Sequence, residues 1–154
     1  MNEPIRAIMI GAGQRGNDVY GAYALQHPQK IQFMAIAEPN PARRAKFGSQ
    51  HKIPPEHQFE TWEPLLARQS LGQAAFVCTQ DHLHTQPTLT ALRAGYDVLL
   101  EKPMATTADE CRKLVAVAEE TGRQLHISHV LRFTRHFAAM REIIQSGDLG
   151  EIIN

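Results

Sequence analysis

The sequence is poor in the features that mark secreted, membrane and nucleic-acid-binding proteins. Its 154 residues include two cysteines and carry a formal net charge of zero. Two cysteines without a spacing motif build no disulfide framework, and Cys78 lies in the apolar run AAFVC, so we expect a buried, reduced thiol. Zero net charge provides no basic field for nucleic acid or anionic lipid. No apolar run approaches the ~20 residues that span a bilayer, and MNEPIRAIMIGAG lacks the parts of a signal peptide. We therefore expect a cytoplasmic protein that binds neither nucleic acid nor membrane.

What the sequence does have is a regular alternation of apolar runs and amphipathic stretches. Strands are predicted at 5–10, 33–37, 74–78, 96–100 and 124–130, while HKIPPEHQFE reads as a loop. Near-continuous apolar strands separated by helices are typical of a parallel sheet covered on both faces. The pattern predicts a doubly wound α/β domain. Ligands bind such sheets beyond the carboxyl ends of the strands, so the residues that follow each apolar run are the candidates for function.

The first strand is followed by a complete G-x-G-x-x-G motif. In this motif the first glycine makes a tight turn, the second lets the backbone approach a pyrophosphate, and the third allows close packing of helix and strand. The N-terminus of the following helix favours phosphate. The motif predicts a dinucleotide site formed by Gly11, Ala12, Gly13, Gln14, Arg15 and Gly16.

Glu38 follows the second strand, where a carboxylate accepts hydrogen bonds from the adenine ribose in dinucleotide-binding folds. A carboxylate there repels a 2′-phosphate, so we expect NAD as the cofactor. NADP remains possible, because Arg43 and Arg44 on the next helix can either bind that phosphate or form part of a solvated face.

Two further strand ends carry chemically active side chains. The run TQDHLH (79–84) follows the third apolar strand, and Glu101-Lys102-Pro103 ends the fourth. His82 and His84 are too few for a catalytic zinc site, so a polar loop is at least as probable as a metal site, and we predict no metal. The convergence of these ends on one rim predicts that Lys102 faces a cleft.

At this point the sequence resembles the N-terminal part of the Gfo/Idh/MocA family of NAD(P)-dependent oxidoreductases. The matching segments are GAGQRG (11–16), AEPN (37–40), TQDHLHTQPTLTALRAGYDVLLEKPMATT (79–107), HVLRF (129–133) and IQSGDLGEI (144–152). The resemblance implies a Rossmann fold and hydride transfer between NAD(P) and a sugar, inositol or related polyol.

The resemblance also implies roles for individual residues. Lys102 would be catalytic, contacting substrate and nicotinamide, while Glu101 and His84 would line the cofactor pocket. Residues 79–81 are Thr-Gln-Asp, a departure from the Thr-Pro-Asn that the family usually has there, and the resemblance implies that Thr79 and Asp81 contact the nicotinamide. Enzymes with this Glu-Lys-Pro often hold the lysine–proline bond cis, so we predict a cis Lys102–Pro103 bond.

Family members carry a second α+β domain that holds the substrate. We therefore predict a Rossmann domain at 1–130 and the first elements of a truncated substrate domain at 131–154, with a strand beginning at 151–153. Such a chain would be inactive alone and would self-associate as a homo-oligomer through its exposed tail. The alternatives are a non-catalytic dinucleotide-binding module, which the length of the source reading frame beyond Asn154 would distinguish, and a glucose-6-phosphate dehydrogenase-like protein, which shares Glu-Lys-Pro.

Overall fold

A single sheet of parallel strands organises the computed structural model, which describes residues 3–68 and 71–151. Its strands are β1 (Ile5–Ile10), β2 (Ile31–Ala37), β3 (Gln58–Phe59), β4 (Ala74–Val77), β5 (Asp97–Leu100) and β6 (Leu125–Ile127). They run in the order β3-β2-β1-β4-β5-β6, with every pairing parallel. The order reverses between β1 and β4, which confirms the doubly wound Rossmann-type fold and places the switch point at the end of β1.

Helices connect successive strands. After β1 a π-helical segment (Gln14–Gly21) continues directly as α1 (Ala22–Gln26), and α2 (Pro41–Gln50) and α5 (Ala108–Thr121) begin at side-chain caps. The Asn40 side chain accepts from the backbone N–H of Arg43, and Thr107 Oγ1 accepts from that of Glu110 at 3.2 Å, so both helix starts satisfy an otherwise free donor. The helices are α1 (Ala22–Gln26), α2 (Pro41–Gln50), α3 (Trp62–Leu66), α4 (Thr85–Arg93), α5 (Ala108–Thr121) and α6 (Arg135–Ser146).

The sheet is buried on both faces because β1 from Ala7 to Ile10 and β4 from Ala74 to Val77 are apolar. In β1, Ile8 and Ile10 join a core with α3, α4 and α5, whereas Ala7 and Met9 join a second core with α1 and α2. All four are at most 1% exposed. This sandwich makes the sheet a rigid platform that leaves the carboxyl ends of the strands as the place for polar groups.

Several sequence predictions are confirmed and others need correction. The Lys102–Pro103 bond is cis, and Cys78 is a buried free thiol. The predicted loop HKIPPEHQFE contains β3, a strand of two residues. The predicted strand 124–130 ends at Ile127, because the His129 N–H turns back to the Ile127 carbonyl at 2.8 Å.

The chain after β6 contributes little to the packed domain. A short 3₁₀ turn (Val130–Phe133) leads to α6, which buries none of its residues. The boundary at 130 stays a prediction, and the strand predicted at 151–153 falls almost wholly outside the described residues. Within the described ranges, no helix has the length and apolar character needed to cross a bilayer.

Candidate functional site

The glycine motif forms the loop between β1 and the π-helical segment, and its three glycines differ in what surrounds them. Gly11 has φ +92°, and a Cβ there would lie 2.7 Å from the Cys78 carbonyl oxygen. A Cβ on Gly16 would lie 2.1 Å from the Gly11 carbonyl oxygen, whereas a Cβ on Gly13 would meet no atom within 4 Å. The first and third glycines therefore permit the tight turn and the close packing of the loop, and the second exposes backbone outward, as a pyrophosphate site requires.

Glu38 is buried at the end of β2 and is hydrogen-bonded to this loop. One carboxylate oxygen accepts from the Ala12 N–H at 2.7 Å and the other accepts from the Asn40 N–H at 3.0 Å. Glu38 therefore holds the loop in place, a role that the sequence does not indicate. An ionised carboxylate has about four acceptor positions, so both oxygens retain capacity for ribose hydroxyls.

Glu101, directly after β5, is the centre of a hydrogen-bond network. Its Oε1 accepts from Arg15 Nε at 3.0 Å and from the Tyr20 hydroxyl at 2.6 Å, and Arg15 Nη2 lies 3.0 Å away as well. Its Oε2 accepts from the Lys102 N–H at 3.3 Å, and the Tyr20 hydroxyl also contacts Ser128 Oγ at 2.6 Å. The network joins the glycine loop to the ends of β5 and β6.

The charges in this network reinforce one another. Burial alone would raise the pKa of Glu101, but hydrogen bonds from Tyr20 and Arg15, together with the Arg15 charge, outweigh it and hold that pKa below its usual range. Burial, followed by the hydrogen bond to Glu101, raises the pKa of Tyr20 to about 12. At neutral pH the network therefore contains an ionised carboxylate and a neutral phenol.

His84 lies behind the rim and is fully buried at the start of α4. Its Nδ1 is 2.7 Å from the Pro103 carbonyl oxygen and its Nε2 is 3.2 Å from that of Thr79. His84 therefore lies between the end of β4 and the proline turn after β5, with a carbonyl oxygen of each within hydrogen-bond distance. Its predicted place lining the cofactor pocket stays a prediction, and with both nitrogens facing carbonyls it is not a metal ligand here.

The remaining predicted residues lie along the same rim. Lys102, Gln14 and Asp81 are exposed, and Thr79 is partly exposed with its Oγ1 buried and without a hydrogen-bond partner among the described residues. An orphaned buried hydroxyl beside the glycine loop suits a site that takes a polar ligand.

The two arginines weighed as phosphate ligands have different surroundings. Arg44 Nη1 donates to the carbonyl oxygens of Glu38 and Pro39, so its guanidinium is already engaged. Arg43 instead lines a cavity of about 250 Å³ with Gly13 and Lys46. If either arginine meets a 2′-phosphate, Arg43 is the better placed.

A larger cavity, about 610 Å³, lies beside the first residues of β2 and is lined by Phe33, His51 and Ile53 among others. Burial lowers the pKa of His51 to about 4, so its ring is neutral. This cavity is lined by no residue of the glycine loop, of segment 79–84 or of Glu101-Lys102-Pro103. Its size alone does not make it the dinucleotide site.

Tyr20 and Ser128 are the members of the site that sequence reasoning misses. Ser128 follows β6 directly, and the strand-end rule would have identified it had the strand been ended at Ile127. Tyr20 lies within the π-helical segment, where no local signal distinguishes it. In residues 3–68 and 71–151, no group of three or more histidine, cysteine or carboxylate side chains is arranged to hold a metal ion.

Comparison with known proteins agrees with this geometry. Residues 5–129 match the model of the Gfo/Idh/MocA family, described as an oxidoreductase family with an NAD-binding Rossmann fold. The chain is 42% identical over 80 residues to 1,5-anhydro-D-fructose reductase of Ensifer adhaerens, covering 52% of this chain and 24% of that one. It is 30% identical over 144 residues to mouse trans-1,2-dihydrobenzene-1,2-diol dehydrogenase, covering 94% and 42%.

A solved structure of a 3-ketoreductase from Actinomadura kijaniata, in complex with NADP, superposes with a TM-score of 0.84 at 27% identity. The match covers 97% of this chain and 46% of that one. The chain thus spans less than half the length of these relatives.

Proposed function

The chain belongs to the Gfo/Idh/MocA oxidoreductase family, and we propose that it is the dinucleotide-binding part of an enzyme that moves a hydride between NAD(P) and a sugar, inositol or related polyol. The observation that carries the proposal is the single rim on which the glycine loop, Glu38 and Glu101-Lys102 meet. Family members bind NAD with this domain, and the rim has the donors and acceptors that a dinucleotide needs.

The residues of the rim fit the cofactor group by group. The open side of Gly13 gives the pyrophosphate access to backbone N–H groups at the start of the π-helical segment. Glu38 would accept from the adenine ribose, and Thr79 and Asp81, with Glu101 and His84 behind them, would support the nicotinamide half. Bound nicotinamide supplies the hydride chemistry, and the protein supplies orientation and field.

Lys102 is the residue that we assign to catalysis. An ammonium group on a flexible stem stabilises the negative charge that develops on the substrate oxygen as a hydroxyl becomes a carbonyl or the reverse. Its exposure at the end of β5 leaves it accessible to a substrate. Glu101, already ionised and bonded to the Lys102 N–H, fixes the backbone from which that side chain extends.

The substrate class and the assembly state are also part of the proposal. A polyhydroxylated substrate agrees with the name of the anhydrofructose reductase. The exposed apolar side chains of α6 favour a homo-oligomer. We assign the protein to the cytoplasm on its buried, free Cys78 thiol.

The proposal is tested by titrating the chain with NADH and NADPH and following the fluorescence of the reduced nicotinamide. We expect saturable binding, tighter for NADH. Lys102→Ala and the exposed control Lys113→Ala should leave the affinity within a few-fold, because the Lys102 charge acts on the substrate oxygen. Failure of wild-type chain to bind either cofactor would refute the assignment.

A further inference from the structure

The hydroxyl groups of Tyr20 and Ser128 form a short chain that ends on Glu101, and its hydrogens can be assigned. Glu101 Oε1 accepts a hydrogen bond from Arg15 Nε and lies 3.0 Å from Arg15 Nη2 in an ion pair. The pKa of Glu101 lies below its usual range, so this oxygen carries no proton to give. The single hydrogen of the Tyr20 phenol must therefore point to Glu101, 2.6 Å away.

Assigning the hydrogens in the same way determines the orientation of the Ser128 hydroxyl group. Its Oγ lies 2.6 Å from the Tyr20 oxygen, and the Tyr20 hydrogen is already committed to Glu101. The hydrogen of Ser128 therefore points to Tyr20. Ser128 keeps its two lone pairs, for which the structure shows no other partner among the described residues, so the group that it presents to the rim is an acceptor.

The surroundings hold this arrangement in place. The Ser128 N–H donates to the Leu100 carbonyl oxygen at 2.9 Å, which continues the pairing of β5 and β6 for one residue. The Tyr20 ring packs edge-on against Phe76 at 5.3 Å, and the Arg15 guanidinium lies 5.6 Å from its centre. Tyr20 therefore loses little freedom when a ligand binds, because its ring is already packed.

The position of Ser128 in the sheet indicates which part of a dinucleotide it meets. Glu38 is in the β1–β3 half of the sheet, where an acidic residue receives the adenine ribose. Ser128 directly follows β6, in the other half of the sheet beyond the switch point, where the second mononucleotide binds. That mononucleotide carries hydrogen-bond donors in its ribose hydroxyls and its carboxamide.

We propose that Ser128 accepts a hydrogen bond from the nicotinamide half of the bound dinucleotide, and that Tyr20 is a positioning residue that fixes Ser128 as an acceptor. The proposal rests on the proposed function. In this arrangement the Tyr20 hydroxyl donates to the ionised Glu101 and accepts from Ser128, so the charge of Glu101 determines the orientation of the Ser128 hydroxyl.

The test compares NADH with ADP, which lacks the nicotinamide half, on the 154-residue chain. Ser128→Ala should weaken NADH binding about three- to tenfold, the range for one lost hydrogen bond, and leave ADP binding unchanged. Ser128→Thr, which keeps a hydroxyl, should restore NADH affinity. Tyr20→Phe should weaken NADH binding similarly, and the double variant should be no worse than Ser128→Ala alone, because both changes remove one unit.

Matched controls separate positioning from general damage. Tyr23→Phe removes an exposed phenol three residues further along the same stretch, and Ser49→Ala removes an exposed hydroxyl on α2; neither should change NADH affinity. Unchanged NADH affinity in Ser128→Ala, a parallel loss of ADP affinity, or additive effects in the double variant would overturn the proposal. If Tyr20→Phe does not fold, the comparison of Ser128→Ala with Ser128→Thr, at a partly exposed position, tests the proposal by itself. Failure of wild-type chain to bind NADH or ADP at all would instead refute the proposed function.

Discussion

At the scale of single residues, Glu38 has two roles that substitution can separate. Its oxygens hold the Ala12 and Asn40 N–H groups, and its charge opposes a 2′-phosphate. Glu38→Gln keeps one oxygen that can accept from the Ala12 N–H and removes the charge, so the preference for NADH over NADPH should narrow by about 1–3 kcal/mol. Fluorescence titration with both cofactors measures the difference between the NADH and NADPH affinities.

Glu60→Gln, at an exposed glutamate just after β3, is the control for that experiment and should leave the preference unchanged. A wild-type chain that binds NADPH more tightly than NADH would contradict the account. In that case Arg43, beside Gly13, becomes the phosphate ligand.

Glu101 gives a pH-dependent prediction whose sign follows from its lowered pKa. A carboxyl with a lower pKa folded than unfolded stabilises the fold above the unfolded value, and this stability is lost as the pH falls through the folded pKa. The stability difference between wild type and Glu101→Gln should therefore be largest near neutral pH and shrink below about pH 4. Urea unfolding across pH measures it.

The exposed Glu120→Gln on α5 provides the baseline for this series and should show no such trend. If the stability difference between wild type and Glu101→Gln instead stays constant as the pH falls below about 4, Arg15 and Tyr20 do not hold Glu101 ionised.

Local sequence predicts the residues of the site that belong to contiguous motifs, and it misses those that depend on distant neighbours. The glycine loop and Glu38 are recognisable because turn geometry and strand ends are local features. Tyr20 and Ser128 are separated by 108 residues, and only the folded sheet brings them together. The loop-holding role of Glu38 is likewise visible only in three dimensions.

At the scale of elements, the glycine loop and the helical segment that follows it are packed so closely that Gly16 has no room for a Cβ atom. Gly16→Ala would force a Cβ to 2.1 Å from the Gly11 carbonyl oxygen, so the segment must shift, at about 1–3 kcal/mol of unfolding free energy. Gly13 has φ −69°, which alanine adopts without strain, and space around it. Gly13→Ala should change stability by less than about 0.5 kcal/mol yet weaken NADH binding about tenfold or more, since backbone access to the pyrophosphate is lost.

Thermal unfolding and NADH titration of the two variants together test this contrast. Equal losses of stability, or full NADH affinity in Gly13→Ala, would show that the loop is not the pyrophosphate site.

The sequence predicts the bounds of long, regular elements more accurately than those of short or irregular ones. The bounds of β1 are predicted correctly, because its apolar run ends directly at Gly11 and its last four residues are buried. β3 is missed, since two residues after a proline-rich turn give no periodicity, and β6 is predicted too long, since the turn at His129 has no glycine or proline to mark it. The π-helical start after the glycine loop has no sequence signature either.

At the scale of the whole molecule, α6 stands apart from the packed domain. It buries none of its residues, and Phe137, Met140, Ile143 and Ile144 are each more than 40% exposed. We expect the chain to self-associate through this face. Phe137→Glu with Ile144→Glu should make it monomeric in sedimentation velocity while leaving its thermal unfolding nearly unchanged, because neither side chain belongs to a core.

Gln145→Glu, at an exposed polar position on the same helix, adds one negative charge without removing apolar surface, and this variant should still associate. A wild-type chain that remains monomeric at high concentration would refute the predicted homo-oligomer.

The central claim is that the carboxyl-terminal rim of the sheet is a dinucleotide site. It is tested most directly by recording the backbone amide spectrum of the isotope-labelled chain as NADH is added. We expect the largest shifts in residues 11–16, at Glu38 and Asn40, and at Glu101 and Ser128, with little change at Phe33 and Ile53. Shifts concentrated around Phe33 and Ile53, beside the larger cavity, or no saturable shifts at all, would contradict it.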